Sequence, residues 1–202
     1  MKILVIGAHG LIGKEVVALL SKTPKYEIIE VGHRKGSLKV DMTSPESIVG
    51  LFKHIGTVDA IISTAGNARL GTYELLSEED FWMAIHNKLM GQVNLVRYGY
   101  PFLNPEGMFI LSSGILAKEP MYGASSISMA NAGIDAFVKA VALEMTKSHR
   151  VNSISPPFVK ETMEMLKMDS STGTPAKDVA LIYKKCLEDN KTGKIYDVRK
   201  YI

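Results

Sequence analysis

Cysteine is nearly missing from this chain, with one residue, Cys186, among 202. A lone thiol closes no internal disulfide, and no Cys/His spacing supplies a zinc-ligand set, so a disulfide scaffold and a structural metal domain are both excluded and no metal is expected. A strong charge of one sign is missing too. Lys and Arg number 24 against 21 Asp and Glu, a net charge of +3, and the bases are scattered among the acids, which argues against nucleic acid as a partner. No run of 18 apolar residues is present to span a bilayer, and the N-terminal apolar run meets Gly7 too early for a signal sequence. Repeats and low-complexity segments are absent. What remains is the expectation of a soluble, cytoplasmic protein with neither membrane nor nucleic acid among its partners. Its hydrophobic content of 46% is ample for one core, read as a single domain over residues 1–202.

What is present begins at the first residue. Lys2–Ile6 is a nearly unbroken β-prone apolar run, and glycines follow at Gly7, Gly10 and Gly13 where an apolar helical pattern starts. That is a strand, a tight turn and a helix start. Gly7 turns the chain, Gly10 lets a pyrophosphate approach bare backbone, and Gly13 lets the helix pack against the strand. Free N–H groups at the helix start, at Leu11 and Ile12, then face the phosphates of a dinucleotide. Glycines so placed also occur as plain turn chemistry. A helix through Leu20 and a strand at Glu27–Val31 complete a βαβ unit. In NAD-binding versions an acid near the end of that second strand takes the ribose 2′-hydroxyl. Here the strand ends Val31-Gly32-His33-Arg34. A guanidinium pairs with a 2′-phosphate, and His9 in the glycine turn lies within reach of the same group, so NADP is favoured over NAD. The alternative for His33 and Arg34 is a solvated basic loop.

Further on, strands are expected at Leu38–Val40, Ala60–Ser63, Gly107–Ser112, Arg150–Ser155 and Lys194–Val198. Ser44-Pro45 opens a helix to Ile55, and Ser77 caps a long helix from Glu78 to about Tyr100. A loop to Ala124 precedes a second long helix, Ser125 to about Lys147, and shorter ones lie near Thr162–Lys167 and Ala176–Leu187. Seven strands alternating with about six helices give a doubly wound, Rossmann-type three-layer α/β sandwich around a parallel sheet.

This order of elements resembles the short-chain dehydrogenase/reductase family over nearly the whole chain. Besides the glycine turn, Asp41-Met42 is similar to the family's adenine-cradling pair, Ala65-Gly66 to the end of its Asn-Asn-Ala-Gly loop, and Ser112-Ser113 to its strand-end serines. Arg150-Val151-Asn152 with Ser155-Pro156 is similar to its Arg-Val-Asn…Pro-Gly segment at the nicotinamide side. The resemblance fails at the Tyr-x-x-x-Lys pair. Aligned on Ala142-Leu143-Glu144, the tyrosine position holds Ile127 and the lysine position Asn131; aligned on Phe81 and Gly91, the family's asparagine position holds Lys88. Tyr122-Gly123-Ala124-Ser125-Ser126 imitates the missing motif five residues early, and reads as a coincidence of register. Lys and Asn have exchanged helices.

The resemblance therefore implies an NADP(H)-dependent reductase of a small carbonyl or conjugated substrate. Ser113 would donate a hydrogen bond to the substrate, while Lys88 holds the nicotinamide ribose and Asn131 bonds to Lys88. With Ile127 unable to give a proton, the substitute donor is open between Lys88, Tyr122 and a water held by Ser113. Met163, Met165 and Met168 are candidates to line an adaptable substrate pocket. The other reading is a protein that binds NADP(H) without turning it over, as a sensor or scaffold. The resemblance also implies a homodimer or homotetramer through the two long helices, with Val93, Val96, Phe137 and Val141 facing the partner.

Overall fold

The computed structural model describes residues 1–145 and 148–202. Seven parallel strands, β1 (Lys2–Ile6), β2 (Glu27–Gly32), β3 (Leu38–Lys39), β4 (Val58–Ser63), β5 (Leu103–Ser112), β6 (Arg150–Ser155) and β7 (Ile195–Asp197), form one sheet. Their spatial order is β3-β2-β1-β4-β5-β6-β7. Alternate residues of each strand face opposite sides. Ile3 and Val5 enter a core shared with Val16, Leu20, Tyr183 and Tyr196, whereas Leu4 and Ile6 join Phe52, Leu95 and Val138 on the other face. Helices α1 (Leu11–Leu20) and α7 (Ala176–Glu188) cover the first face; α2 (Pro45–Ile55), α4 (Gly91–Gly99) and α5 (Ser125–Glu144) cover the second. Both faces of a parallel sheet must be covered in this way.

Local chemistry sets the boundaries. The Ser44 hydroxyl accepts from Ser47 N–H, with Pro45 in the first turn of α2. Ser77 and Asp80 form a reciprocal capping box at α3 (Glu78–Met83). Two expectations are corrected. The helix expected from Glu78 to Tyr100 is three pieces, because α3 passes into a π-helix over Ala84–Met90 before α4 begins. The second long helix ends at Glu144, and Thr146 and Lys147 lie outside the described residues. By length and composition alone α5 is apolar enough to cross a bilayer, the one such helix among the described residues. Its Ala130, Asn131, Ile134, Asp135 and Val138 are buried within the fold.

Chain order reverses between β1 and β4, where the connection crosses from one side of β1 to the other. Loops leaving the two strands part there, and the crevice between them is where open α/β sheets take ligands.

Candidate active site

The crevice is built by backbone before side chains. Gly7 has φ +80°, a conformation L side chains rarely adopt. A Cβ on Gly13 would stand 2.1 Å from the Gly7 carbonyl oxygen and 2.7 Å from Thr64 Oγ1. The Thr64 hydroxyl donates to the carbonyls of Ile6 and Gly7 at 3.0 and 3.1 Å, which clamps the glycine turn to the loop after β4. Gly10 is the N-cap of α1, and no side chain bonds to the helix's first N–H groups. Leu11, Ile12 and Gly13 thus open α1 with these donors available to an anion.

His9 turns toward the loop after β2. Its Nδ1 lies 3.6 Å from Glu30, a carboxylate that sequence reasoning passed over, and its ring packs over Gly36. His33 and Arg34 stand exposed on that same loop, with His33 Nδ1 3.3 Å from the Val40 carbonyl. Asp41 spends its Oδ1 on the N–H and hydroxyl of Thr43, which holds its pKa below the usual carboxylate range. Met42 is buried against Gly91.

Beyond Gly66 a cavity of about 510 Å³ opens, lined by Lys88, Ser113, Ile127, Asn131 and Pro156 and walled by apolar groups including Leu116 and Phe158. Lys88 rises from the π-helix. Its stem packs on Gly66, where a Cβ would stand 2.9 Å from Lys88 Cγ, and its Nζ lies 3.5 Å from the Ser113 carbonyl oxygen. The side chain is half-buried at the cavity wall, and burial draws its pKa from 10.5 down to about 8. Asn131 Nδ2 fills the space beside Gly114, while its buried Oδ1 has no hydrogen-bond partner. Such an atom is an acceptor waiting for a ligand's donor. Ile127 and Asn131, one turn apart on α5, reach the same cavity.

Several expectations are corrected by these positions. Lys88 bonds to Ser113, and the expected bond between Lys88 and Asn131 is not formed. Ser112 is turned away from the cavity, with its hydroxyl 2.5 Å from both the Ser63 carbonyl and the Tyr183 hydroxyl. Tyr122 is 85% exposed on a loop fixed by the Gly71 N–H to Gly123 carbonyl bond, and it does not line the cavity. Thr162 and Leu166, not the three methionines, reach the cavity from the segment after β6; Met163 is buried against Gly173, and Met165 is 72% exposed. Val96 is buried and Phe137 and Val141 pack on the core, while the exposed large apolar side chains on and beside the long helices are Trp82, Met83, Met90, Met129 and Leu143.

Two contributors had no signal in the sequence. Gln92, wholly buried, donates from Nε2 to the Lys88 and Ser112 carbonyls at 3.2 and 2.9 Å and accepts the Ser112 N–H at 2.7 Å. It ties the π-helix to the end of β5. Asp135 lies one turn beyond Asn131, 5% exposed, and accepts from Ser153 Oγ at 3.0 Å.

A model of enoyl-(acyl carrier protein) reductases matches residues 15–183, most of the chain. The chain belongs to the short-chain dehydrogenase/reductase family. Among solved structures, this family member is similar to the protein lin1944 from Listeria innocua, with 37% identity, TM-score 0.91, and 97% of this chain and 98% of that one covered. It also shares its fold with a small-chain dehydrogenase solved in complex with NADPH, at 23% identity and TM-score 0.87 over 98% and 95% of the two chains. Hydroxynaphthalene reductase arp2 of Aspergillus fumigatus is 27% identical over 146 residues, 68% of this chain and 54% of that protein. Oxidoreductase UcpA of Escherichia coli K12 is 26% identical over 147 residues, 68% and 55% respectively. The chain thus spans about half the length of the curated relatives it matches.

Proposed function

We propose that this short-chain dehydrogenase/reductase is an NADP(H)-dependent reductase of a small apolar carbonyl or conjugated substrate. One observation carries the reading: Lys88, Ser113 and Asn131 converge on a single, mainly apolar cavity at the end of the sheet where the glycine turn also lies. The residues fit a nicotinamide dinucleotide. The bare cradle of Gly7, Gly10 and Gly13 and the orphaned Asn131 Oδ1 both call for a ligand of that kind.

In this reading the N–H groups of Leu11, Ile12 and Gly13 hold the diphosphate, and His9, His33 and Arg34 hold the 2′-phosphate. Asp41 and Met42 border the adenine, Ala65 and Gly66 lie along the backbone, Lys88 and Asn131 take the ribose hydroxyls, and Pro156 borders the nicotinamide. The bound cofactor supplies the hydride. Ser113 Oγ donates a hydrogen bond to the substrate oxygen, and the Lys88 charge lowers the energy of the oxyanion as it develops. Apolar walls keep water from competing for that oxygen and select an apolar substrate. A relative named for a hydroxynaphthalene supports a conjugated one.

The second reading, a sensor or scaffold that holds NADP(H) without reaction, is favoured by Ile127 standing in the cavity with no proton to give. Titration with NADPH in the presence of a panel of apolar aldehydes, ketones and enones separates the two. Loss of nicotinamide absorbance is expected; fluorescence enhancement without that loss supports the sensor, and no enhancement removes both. Arg34→Ala is expected to weaken NADPH about tenfold and leave NADH unchanged, in line with the loss of one charge-assisted contact. An equal effect on both coenzymes overturns the NADP preference. The reading places the protein in the cytoplasm, with a second copy covering Trp82, Met83, Met90 and Met129 to form a homodimer or homotetramer. Light scattering of Trp82→Glu beside the parent tests that assembly, and an unchanged mass rejects this face.

A further inference from the structure

Ser113 can donate to a substrate oxygen only while its own proton points into the cavity, and what stands behind it decides that. The Ser113 hydroxyl is buried, and its one formed contact is a long 3.4 Å approach to the Ile154 carbonyl. Near it lies the carboxyl of Asp135, a buried residue of α5 packed against β6. Oδ1 accepts from Ser153 Oγ at 3.0 Å, and Oδ2, also buried, completes no hydrogen bond. Ser113 nevertheless lies close enough to act on this carboxyl. A carboxylate so enclosed, with one donor on two oxygens, is an expensive species, whereas a carboxylic acid has a proton to place and Ser113 Oγ is the nearby acceptor.

We propose that Asp135 is held as the neutral acid and is the proton source of the reduction, its Oδ2–H passing to Ser113 Oγ as the Ser113 proton passes to the substrate oxygen. This rests on the reductase reading above. The balance is simple. The dihydronicotinamide gives up a hydride and is oxidised, the carbonyl carbon gains that hydride, and the C=O π pair moves to oxygen. That oxygen forms a new O–H bond as the Ser113 O–H bond breaks, Ser113 is restored by Asp135, and the carboxylate left behind takes a proton from water before the next cycle. The state of Asp135 also sets the direction of the serine proton. Neutral Asp135 donates to Ser113 and frees the serine hydrogen for the cavity; ionised Asp135 would draw that hydrogen back toward itself.

The surroundings agree in sign. Burial raises the Asp135 pKa, opposed by the hydroxyls of Ser113 just after β5 and Ser153 on β6, by Lys118 beyond the following turn, and by Lys139 on α5 itself. Burial is the largest of these and outweighs the rest.

Two measurements test the idea. In the first, the Asp135 carboxyl carbon is followed by NMR against pH in the full chain without substrate. A midpoint above the assay pH, beyond the ordinary range near about 4, is expected, and it should shift in Ser113→Ala because Ser113 Oγ bonds to the carboxyl in both of its protonation states. A midpoint below the assay pH, or one that ignores Ser113→Ala, overturns the proposal. The second uses Asp135→Asn, whose amide still donates to Ser113 Oγ and accepts from Ser153 but carries no transferable proton. It should keep KM within twofold and lose about 100-fold or more in kcat, with the alkaline limb of the parent's kcat profile gone. Parent-like kcat overturns it. If no carbonyl is reduced even by the parent, the reductase reading falls, while the carbon titration still decides whether Asp135 is a neutral acid coupled to Ser113.

Discussion

One side chain, Lys88, carries opposite consequences for stability and for binding. Its pKa falls from 10.5 to about 8 through burial, which corresponds to roughly 3 kcal/mol against the charged form. Water in the open cavity screens part of this, leaving about 1 to 2 kcal/mol. Lys88→Met keeps the apolar stem over Gly66 and removes the charge. It also removes the 3.5 Å contact to the Ser113 carbonyl, a distance at the limit of hydrogen bonding and worth less than about 1 kcal/mol. Without coenzyme and at neutral pH the variant is therefore expected to be more stable than the parent by about 1 kcal/mol, about 2–4 °C in Tm for a chain of this size.

The pH dependence gives the sharper check. Between about 8 and 10.5 the unfolded parent still holds the lysine proton while the folded parent has shed it, so parental stability climbs with pH through that window. Lys88→Met has no such group. Urea unfolding across the pH range should show the variant's advantage intact below about 8 and gone above 10.5. NADPH should reverse the order: it binds the parent through Lys88 and stabilises it in proportion to the logarithm of its concentration over Kd, and it binds the variant at least tenfold more weakly. A variant less stable than the parent at neutral pH, or an advantage that persists at high pH, refutes the electrostatic account. Equal NADPH affinity refutes the assignment of Lys88 to the ribose.

Other consequences are simpler. Gln92→Leu keeps the shape but leaves the Ser112 N–H and the carbonyls of Ser112 and Lys88 without their partner, so a loss of about 3–5 kcal/mol in urea unfolding is expected. A loss below about 1 kcal/mol would mean that other groups satisfy them. Gly13→Ala sets a methyl 2.1 Å from the Gly7 carbonyl oxygen; the turn must open, and a loss above about 3 kcal/mol together with failure to bind dinucleotide should follow. Burial pushes the Cys186 thiol up to about 12, so the native protein should resist thiol-modifying reagents at neutral pH until denaturant is added. Rapid labelling without denaturant would show that α7 opens locally.

The parts of the fold that follow from short-range chemistry were readable in the sequence. Lys2–Ile6 and Arg150–Ser155 are strands at the residues expected, and the Ser44 and Ser77 caps start their helices where expected, because apolar runs and capping hydroxyls act within a few residues of themselves. The convergence of Lys88, Ser113 and Asn131 was also legible, since the strand-end serines and the two helix positions each have a place in the fold. The π-helix was not. Ala84–Met90 contains no proline or glycine to break an α-helix, and its widened turn is followed by a contact distant in the chain, Gln92 reaching the Ser112 carbonyl. Gln92 and Asp135 read as solvated polar residues in a helix, because burial of a polar group is a tertiary property with no periodic signature. Tyr122, whose motif-like neighbourhood reads as a coincidence of register and which stood as one of three candidate proton donors, is exposed to solvent.

Glycine and the exchanged pair belong together in physical terms. A side chain at position 66 would strike the Lys88 stem at 2.9 Å, and one at 114 would strike Asn131 Nδ2 at 2.7 Å, so each long polar residue occupies space that its neighbouring glycine leaves open. The charge consequently enters from the π-helix side of the cavity and the neutral amide from α5. Ile127 shares the cavity with both but carries no acidic proton. Proton supply then falls to a group already buried on the same helix, one turn further on. Asp135 meets that description, with Ser113 between it and the cavity, and the burial that raises its pKa is the condition that favours a neutral carboxylic acid.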